Sequence, residues 1–249
     1  YVGSGVLASA MAMDKHYMKL VLAGQGLPVC RYVVVQAQEW KKDPNAVADA
    51  VASLHYPVFV KPARGGSSIG ISKVHHPADL AAALEHAREH DVKVLVEECV
   101  VGREIECGVL ESLDGSDPDV SLPAEVRVAA DREFYDFEAK YLPEENTALD
   151  VPADLPDGLA FEVQRLAAKA FTALGCEGLA RVDFFVRDDG SVIVNELNTM
   201  PGFTPQSMFP RMWAASGLSY PALVDRLLRT ALGSRSDRRR GRGSGSALQ

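Results

Sequence analysis

The sequence predicts an α+β protein, because strand-like and helix-like stretches mix without strict βαβ alternation, hairpin signals recur and no internal repeat is found. The strongest hairpin signal is the pair of apolar runs over residues 179–197, separated by Asp188-Asp189-Gly190. A second is the run 56–62, which stops at Pro62 and is followed by the small-residue loop Ala63–Gly70 and a short strand at 71–74. Helical periodicity is clearest over 159–174, where Leu159, Val163, Leu166, Ala170 and Leu174 make one stripe and Gly175 is the stop. Leu80, Ala83, Leu84 and Ala87 make a similar face over 78–90; further helices are expected at 11–24 and 220–232. Strands are expected at 29–35, 92–97 and 104–110, the last alternating through Ile105, Cys107 and Val109. Residues 131–150 carry many charges and little periodicity, and a loop that long in a compact domain is functional or disordered.

Composition narrows the function. The 249 residues suffice for one large domain or two small ones, and 47% hydrophobic with 24% charged residues is a globular balance. No apolar run is long enough to cross a bilayer, and Tyr1-Val2-Gly3-Ser4-Gly5 has neither an initiator Met nor a signal-peptide core. The expectation is a cytoplasmic protein, entered mid-chain, with no membrane partner. A net charge of −8, in a chain whose tail holds five arginines against one aspartate, argues against nucleic acid as partner. The Arg/Ser/Gly-rich stretch 234–249 reads as a disordered basic tail. Cys30, Cys99, Cys107 and Cys176 form no C-x-x-C and the six histidines show no ligand spacing beside them, so reduced cysteines and no zinc site are expected.

The hairpin over 179–197 carries the most chemistry. With Asp189-Gly190 as a two-residue turn, Asp183 faces Glu196 and Arg181 faces Asn198, and alternation puts all four side chains on one face. Val182, Phe184, Val186, Ile193 and Leu197 then line the opposite face, with Asn195 as the exception. Opposed carboxylates about 5 Å apart at Cβ repel unless neutralised, and a hard divalent cation does that. Two readings stand on these residues alone: a metal site, or a polar face balanced by Arg181. Lys61 ends a buried strand before Arg64-Gly65-Gly66-Ser67-Ser68-Ile69-Gly70, a loop whose backbone amides could close over phosphate oxygens; the alternative is a flexible hairpin with an exposed lysine. No G-x-x-x-x-G-K-[ST] motif is present. Glu97-Glu98-Cys99-Val100 ends a strand at a bend where backbone groups could read an adenine edge, or is simply a charged strand end.

In order, these pieces resemble the D-alanine–D-alanine ligases of the ATP-grasp superfamily. The matching segments are Gly3-Ser4-Gly5-Val6 with Met13-Asp14-Lys15, then Val60–Gly70, Glu97–Glu104, Phe134–Tyr141, Gly178–Asp183 and Asn195–Gly202. The resemblance implies an ATP-grasp fold, two α+β subdomains clasping ATP, with the preATP-grasp domain of the family absent from this chain. Its boundaries would be a linker remnant at 1–13, a central subdomain at 14–97, a C-terminal subdomain at 98–233 and the tail at 234–249. It implies two Mg²⁺ or Mn²⁺ ions on Asp183, Glu196 and Asn198. Lys15 and Lys61 would hold α- and β-phosphate oxygens and Lys140 the γ-phosphate. Glu97 and the backbone of Glu98 and Val100 would hold adenine, and Glu104 the ribose. Arg181 and the Gly202 amide would stabilise the oxyanion, Ser207 and Met208 would meet the second D-alanine, and Tyr141 would hydrogen-bond Ser67 as the lid closes.

The implied activity is ATP-dependent joining of two D-alanines through an acyl phosphate for peptidoglycan synthesis, with a homodimeric full-length enzyme. A D-alanine–D-lactate or D-alanine–D-serine ligase, another ATP-grasp ligase and a catalytically idle ATP-binding module are the alternatives.

Overall fold

The computed structural model describes residues 1–128 and 147–241, apart from the side chains of 128, 147, 148 and 234–241. It has two antiparallel sheets. The smaller contains β1 (Tyr32–Gln36), β2 (Val58–Pro62), β3 (Ser72–Val74) and β4 (Lys93–Glu98), in the order β1-β4-β2-β3. The larger contains β5 (Arg103–Leu110), β7 (Ala124–Val128), β8 (Thr147–Asp150), β9 (Leu179–Val186) and β10 (Val192–Asn198), in the order β10-β9-β5-β7-β8, with the short β6 (Asp119–Val120) beside β5. The α+β expectation holds, and β2 pairs with β3 as the hairpin signal required.

Each sheet is apolar on one face. Val35 of β1, Val58 and Val60 of β2, and Val94 and Val96 of β4 pack on α4 (Pro44–Ala52) and α5 (Leu80–Arg88), the latter through the predicted Leu80, Ala83, Leu84 and Ala87. In the larger sheet Ile105, Cys107, Val109, Ala180, Val182, Phe184, Val186, Val192, Val194 and Leu197 pack on α6 (Asp157–Ala173), whose stripe includes Val163, Leu166, Ala170 and Phe171. Full burial of the valine, leucine, isoleucine and phenylalanine side chains among them contributes roughly 1.5–3 kcal/mol each. Part of the other face is covered by α7 (Met208–Ala215) and α8 (Tyr220–Gly241), through Phe209, Met212, Trp213 and Leu223. Gly108 makes that contact possible: a Cβ there would lie 2.9 Å from Trp213 Nε1 and 3.2 Å from Phe209.

Several elements differ from the sequence expectation. The helix expected at 11–24 is two, α1 (Val6–Met13) and α2 (Lys15–Gly24), because the Asp14 side chain accepts the amides of His16 and Tyr17 at 3.1 and 3.3 Å and starts a new helix. Residues 37–52, assigned nothing, form α3 (Ala37–Lys42) and α4; a Gln36/Glu39 capping box starts one and Asp43-Pro44 the other. Residues 147–150, expected in the long loop, are β8. The last helix runs to Gly241, nine residues past the expected end at 232, because arginine favours helix and the basic stretch lacks a proline.

The hairpin register is reached by a different route from the one predicted. Arg187 donates to the Ser191 carbonyl and Gly190 to the Arg187 carbonyl, each at 2.9 Å, with Gly190 at φ 80°. The loop is therefore three residues long with glycine in the left-handed position. Val192 faces Val186 and Val194 faces Phe184, one residue off the expected pairing. A β-bulge at Asn195 then shifts the register back, so Glu196 faces Asp183 and Asn198 faces Arg181 as predicted. Val192 and Val194, not Ile193, point into the α6 core.

Candidate active site

Helix α2 reaches both sheets, Lys19 toward Glu97 of β4 and Lys15 toward Glu196 of β10. Lys15 and Lys19 lie one turn apart on that helix. Lys15 Nζ donates to the Gly65 carbonyl at 2.6 Å and lies 3.9 Å from Glu196 Oε2, touching both the glycine-rich loop and the larger sheet. Lys61 Nζ, at the end of β2, donates to Glu97 Oε2 at 2.6 Å. Lys19 Nζ lies 3.4 Å from Glu97 Oε1. Glu97, only 2% exposed, thus holds a lysine at each oxygen. Lys15 and Lys61 lie at the mouth of a loop in which Ser67 and Ser68 have φ of 51° and 60°. Two successive non-glycine residues in the left-handed region cost about 1–2 kcal/mol each, so the loop's curvature is imposed by its surroundings.

Burial alone would push the Glu97 carboxyl up. Lys19 and Lys61, with Lys15 behind them, reverse this and hold it at about 2. Lys15 is shifted down from the ordinary lysine value by burial and by Lys61, against the pull of Glu196. Because the Glu97 carboxyl is depressed in the folded chain, its stabilisation is complete above the ordinary value of 4.5 and is lost as pH falls toward 2. Glu97→Gln is expected to cost about 3–5 kcal/mol at pH 7 by leaving a buried ammonium poorly compensated. Urea titrations at pH 7 and pH 3 check this: the gap between parent and variant should narrow at pH 3, whereas a gap independent of pH would contradict it.

On the larger sheet, strand pairing sets Glu106, Asp183 and Glu196 in one row across β5, β9 and β10, with Gly108, Arg181 and Asn198 in the next. Arg181 donates Nε and Nη2 to Asp183 Oδ1 and Oδ2, both at 2.7 Å, and its Nε lies 3.3 Å from Glu106 Oε2. Burial opposes the guanidinium charge, but Asp183 and Glu106 more than offset it and raise its pKa well above the usual value. The three carboxylates of the row are met by Arg181 and, at 3.9 Å from Glu196, by Lys15, and its donors are oxygens, including the Asn198 amide, whose Oδ1 accepts the Met200 amide at 3.0 Å. Such a set fits a hard divalent cation.

The other predicted positions are arranged less simply. Glu104 sits two residues before Glu106 on the same face of β5, opposite Phe185. The Glu98 carboxylate is held by Arg31 at 2.9 Å and His55 at 3.0 Å, and its backbone amide donates to the Arg31 carbonyl at 3.0 Å, so that amide is already committed. Val100 is buried and Gly202 exposed. Ser207 precedes α7 and its Oγ accepts the Thr204 amide at 3.1 Å, while the Met208 side chain is buried among Phe209 and Met212, leaving only its backbone to meet a ligand. Lys140 and Tyr141 lie outside the described residues.

Sequence reasoning missed Lys19 and Glu106. Lys19 sits on the buried side of α2 with Met18 and Leu22, where a lysine needs a buried anion. Glu106 alternates with Ile105 and Cys107 on a strand already recognised, so its face could have been read. The histidines hold a grouping the spacing argument also missed: exposed His86, Glu89 and His90 have potential ligand atoms within 4.8 Å of one another at the end of α5. All four cysteines are free, and burial pushes the Cys107 thiol up to about 12. Among the described residues no helix is long and apolar enough to cross a membrane.

The D-ala D-ala ligase C-terminus family model matches residues 21–229. A D-alanine–D-alanine ligase of Kineococcus radiotolerans is 59% identical over 93% of this chain and 62% of its own length. One from Streptomyces griseus is 55% identical over 93% of this chain and 59% of its own. The chain therefore spans about three fifths of the length of these relatives. The solved D-alanine–D-alanine ligase of Coxiella burnetii superposes with a TM-score of 0.82 at 32% identity, covering 96% of this chain and 62% of that one. The VanG D-Ala:D-Ser ligase of Enterococcus faecalis superposes with a TM-score of 0.80 at 36% identity, covering 91% and 64%. With the family model spanning most of its sequence and its two sheets superposing on solved ligases, the chain belongs to the D-alanine–D-alanine ligase C-terminal family and has the ATP-grasp fold.

Proposed function

We propose that the protein carrying this chain joins two D-alanines to D-alanyl-D-alanine at the expense of ATP, for peptidoglycan synthesis. The observation that carries the reading is the meeting of a lysine cluster (Lys15, Lys61) and an oxygen-rich row (Asp183, Glu196, Asn198) through the 3.9 Å approach of Lys15 to Glu196. Cations on one side and metal-type ligands on the other suit a magnesium–nucleotide. Asp183, Glu196 and Asn198 would hold two magnesium or manganese ions, which when bound supply charge neutralisation at the phosphates.

The chain's own residues do the rest. Lys15 and Lys61 hold α- and β-phosphate oxygens, and Lys140 reaches the γ-phosphate. Glu97 serves the adenine while fixing Lys61, the backbone of Glu98 and Val100 completes the adenine edge, and Glu104 takes the ribose. The first D-alanine carboxylate attacks the γ-phosphorus and ADP leaves, giving an acyl phosphate. The second D-alanine amine attacks the acyl carbon, Arg181 and the Gly202 amide stabilise the oxyanion, and inorganic phosphate departs. Ser207 and the Met208 backbone orient the second D-alanine. Tyr141 would hydrogen-bond Ser67 on closure of a lid that protects the acyl phosphate from water. ATP as substrate supports a cytoplasmic location, and a full-length homodimer is part of the same proposal.

A second reading, ligation of D-alanine to D-serine, draws on the likeness to the VanG ligase. The full-length protein should be given ATP, Mg²⁺ and D-alanine with D-serine or D-lactate in competition, and its products identified by mass spectrometry. D-alanyl-D-alanine should dominate near neutral pH, because an uncharged tyrosine wall accepts an amine nucleophile that an imidazolium would repel. Dominance of D-alanyl-D-serine or of the depsipeptide would overturn the reading.

A further inference from the structure

Lys19 lies outside the set of side chains proposed to touch nucleotide, yet it is among the most completely buried large side chains in the molecule, at 1% exposure. Its ammonium has three neighbours at 3.4 Å: Glu97 Oε1, the Asn195 carbonyl and Cys30 Sγ. The first belongs to the smaller sheet, through the carboxylate that grips Lys61. The second belongs to the larger sheet, at the bulge residue immediately before Glu196.

The Asn195 contact matters because β10 ends the larger sheet's strand order, with β9 its sheet neighbour. Its outer edge is served from outside the sheet. The Val194 amide donates to the Pro28 carbonyl at 2.8 Å, the Leu197 amide to Met18 Sδ at 3.2 Å, and Lys19 binds the carbonyl between them. A bulge needs such support, since the extra residue drops out of the ladder. Here the bulge decides which way Glu196 points: without it, the 192–194 register would continue and Glu196 would move off the Asp183 row.

The geometry points to Lys19 as a positioning residue that sets two groups at once, the phosphate-side Lys61 through Glu97 and the metal-side Glu196 through the Asn195 carbonyl. This rests on the proposed Mg-ATP site. A methionine in its place would keep the volume but release both.

The test is titration of Mg-ATP into the full-length protein, and of Mg²⁺ at fixed ATP, by calorimetry well below the melting temperature. If the parent binds no Mg-ATP, the proposed function fails before this inference is reached. If it binds, Lys19→Met should raise the Mg²⁺ concentration for half-saturation by about 10-fold or more, the usual range for a group supporting a metal ligand. Cys30→Ala, which removes the third contact and the 3.6 Å hydrogen bond from the Cys30 thiol to Glu97 but leaves Lys19 on both Glu97 and the Asn195 carbonyl, should leave it unchanged. Lys19→Met removes one of the two lysines on the buried Glu97 carboxylate and lowers stability, so Glu97→Gln is compared with Lys19→Met/Glu97→Gln, in which the Lys19–Glu97 pair is gone altogether. A higher Mg²⁺ requirement in the double variant isolates the hold on Asn195. Equal requirements in those two proteins, or a Lys19→Met protein that melts lower but binds Mg²⁺ and ATP as the parent does, would reduce Lys19 to a structural ion-pair partner and overturn the inference.

Discussion

Arg181→Met in the full-length protein should lower kcat by about 100-fold or more, the scale seen when one oxyanion donor is removed. Mg-ATP binding should weaken much less. Arg181 is the cation that binds Asp183 through both oxygens and approaches Glu106, so its loss also leaves the row of Glu106, Asp183 and Glu196 underneutralised. Removing one partner from a buried ion pair costs about 3–5 kcal/mol. Part of that loss should be recovered by millimolar Mg²⁺, because a divalent ion can take over the neutralisation. Melting curves of Arg181→Met with Mg²⁺ and with EDTA check this: the variant should gain more from Mg²⁺ than the parent does. A variant whose stability ignores Mg²⁺ would mean that the row is balanced by protein groups alone.

Glu196→Gln should be the most damaging single change at the metal face. The substitution keeps shape and one oxygen acceptor but removes a charge from the centre of the site, where Glu196 faces Asp183 across the hairpin and Lys15 across the cleft. Loss of a metal-neutralising charge is expected to cost at least about 100-fold in kcat/KM, or ~2.7 kcal/mol. Lys15 would lose its counter-charge at the same time, and burial and Lys61 already lower its pKa. The variant should therefore lose ATP affinity at a lower alkaline pH than the parent does. Steady-state assays and nucleotide titrations across pH measure both effects. A Glu196→Gln protein with parental kcat/KM would remove Glu196 from the site.

What the sequence revealed depended on how local each signal was. The apolar face of α5 and most of the stripe of α6 follow from periodicity alone, while Ala167 and Phe171 of α6 widen that stripe beyond the single row the sequence shows. The opposition of Asp183 and Glu196 was read from alternation, yet it came out right because two departures cancel: a three-residue loop shifts the pairing by one and the bulge at Asn195 shifts it back. The one visible sign was that Asn195 did not fit the apolar face. Lys15 and Lys61 were legible only as family positions; that Glu97 fixes Lys61, and that Lys19 shares Glu97, are facts of tertiary pairing between α2, β2 and β4. Glu106 joins the Arg181 row through the β5–β9 register, which no local pattern encodes. The helices at 37–52 were missed although both carry cap signals at Gln36 and Asp43. The proposed lid residues Lys140 and Tyr141 fall outside the described residues.

The central claim is that the face bearing Asp183, Glu196 and Asn198 binds nucleotide through divalent cations, opposite the lysines. Calorimetric titration of ATP into the 249-residue chain, with Mg²⁺ and with EDTA, tests it most directly. Saturable binding that requires Mg²⁺ and disappears in Glu196→Gln is the predicted result. Binding of equal strength without Mg²⁺, unaffected by Glu196→Gln, would contradict it.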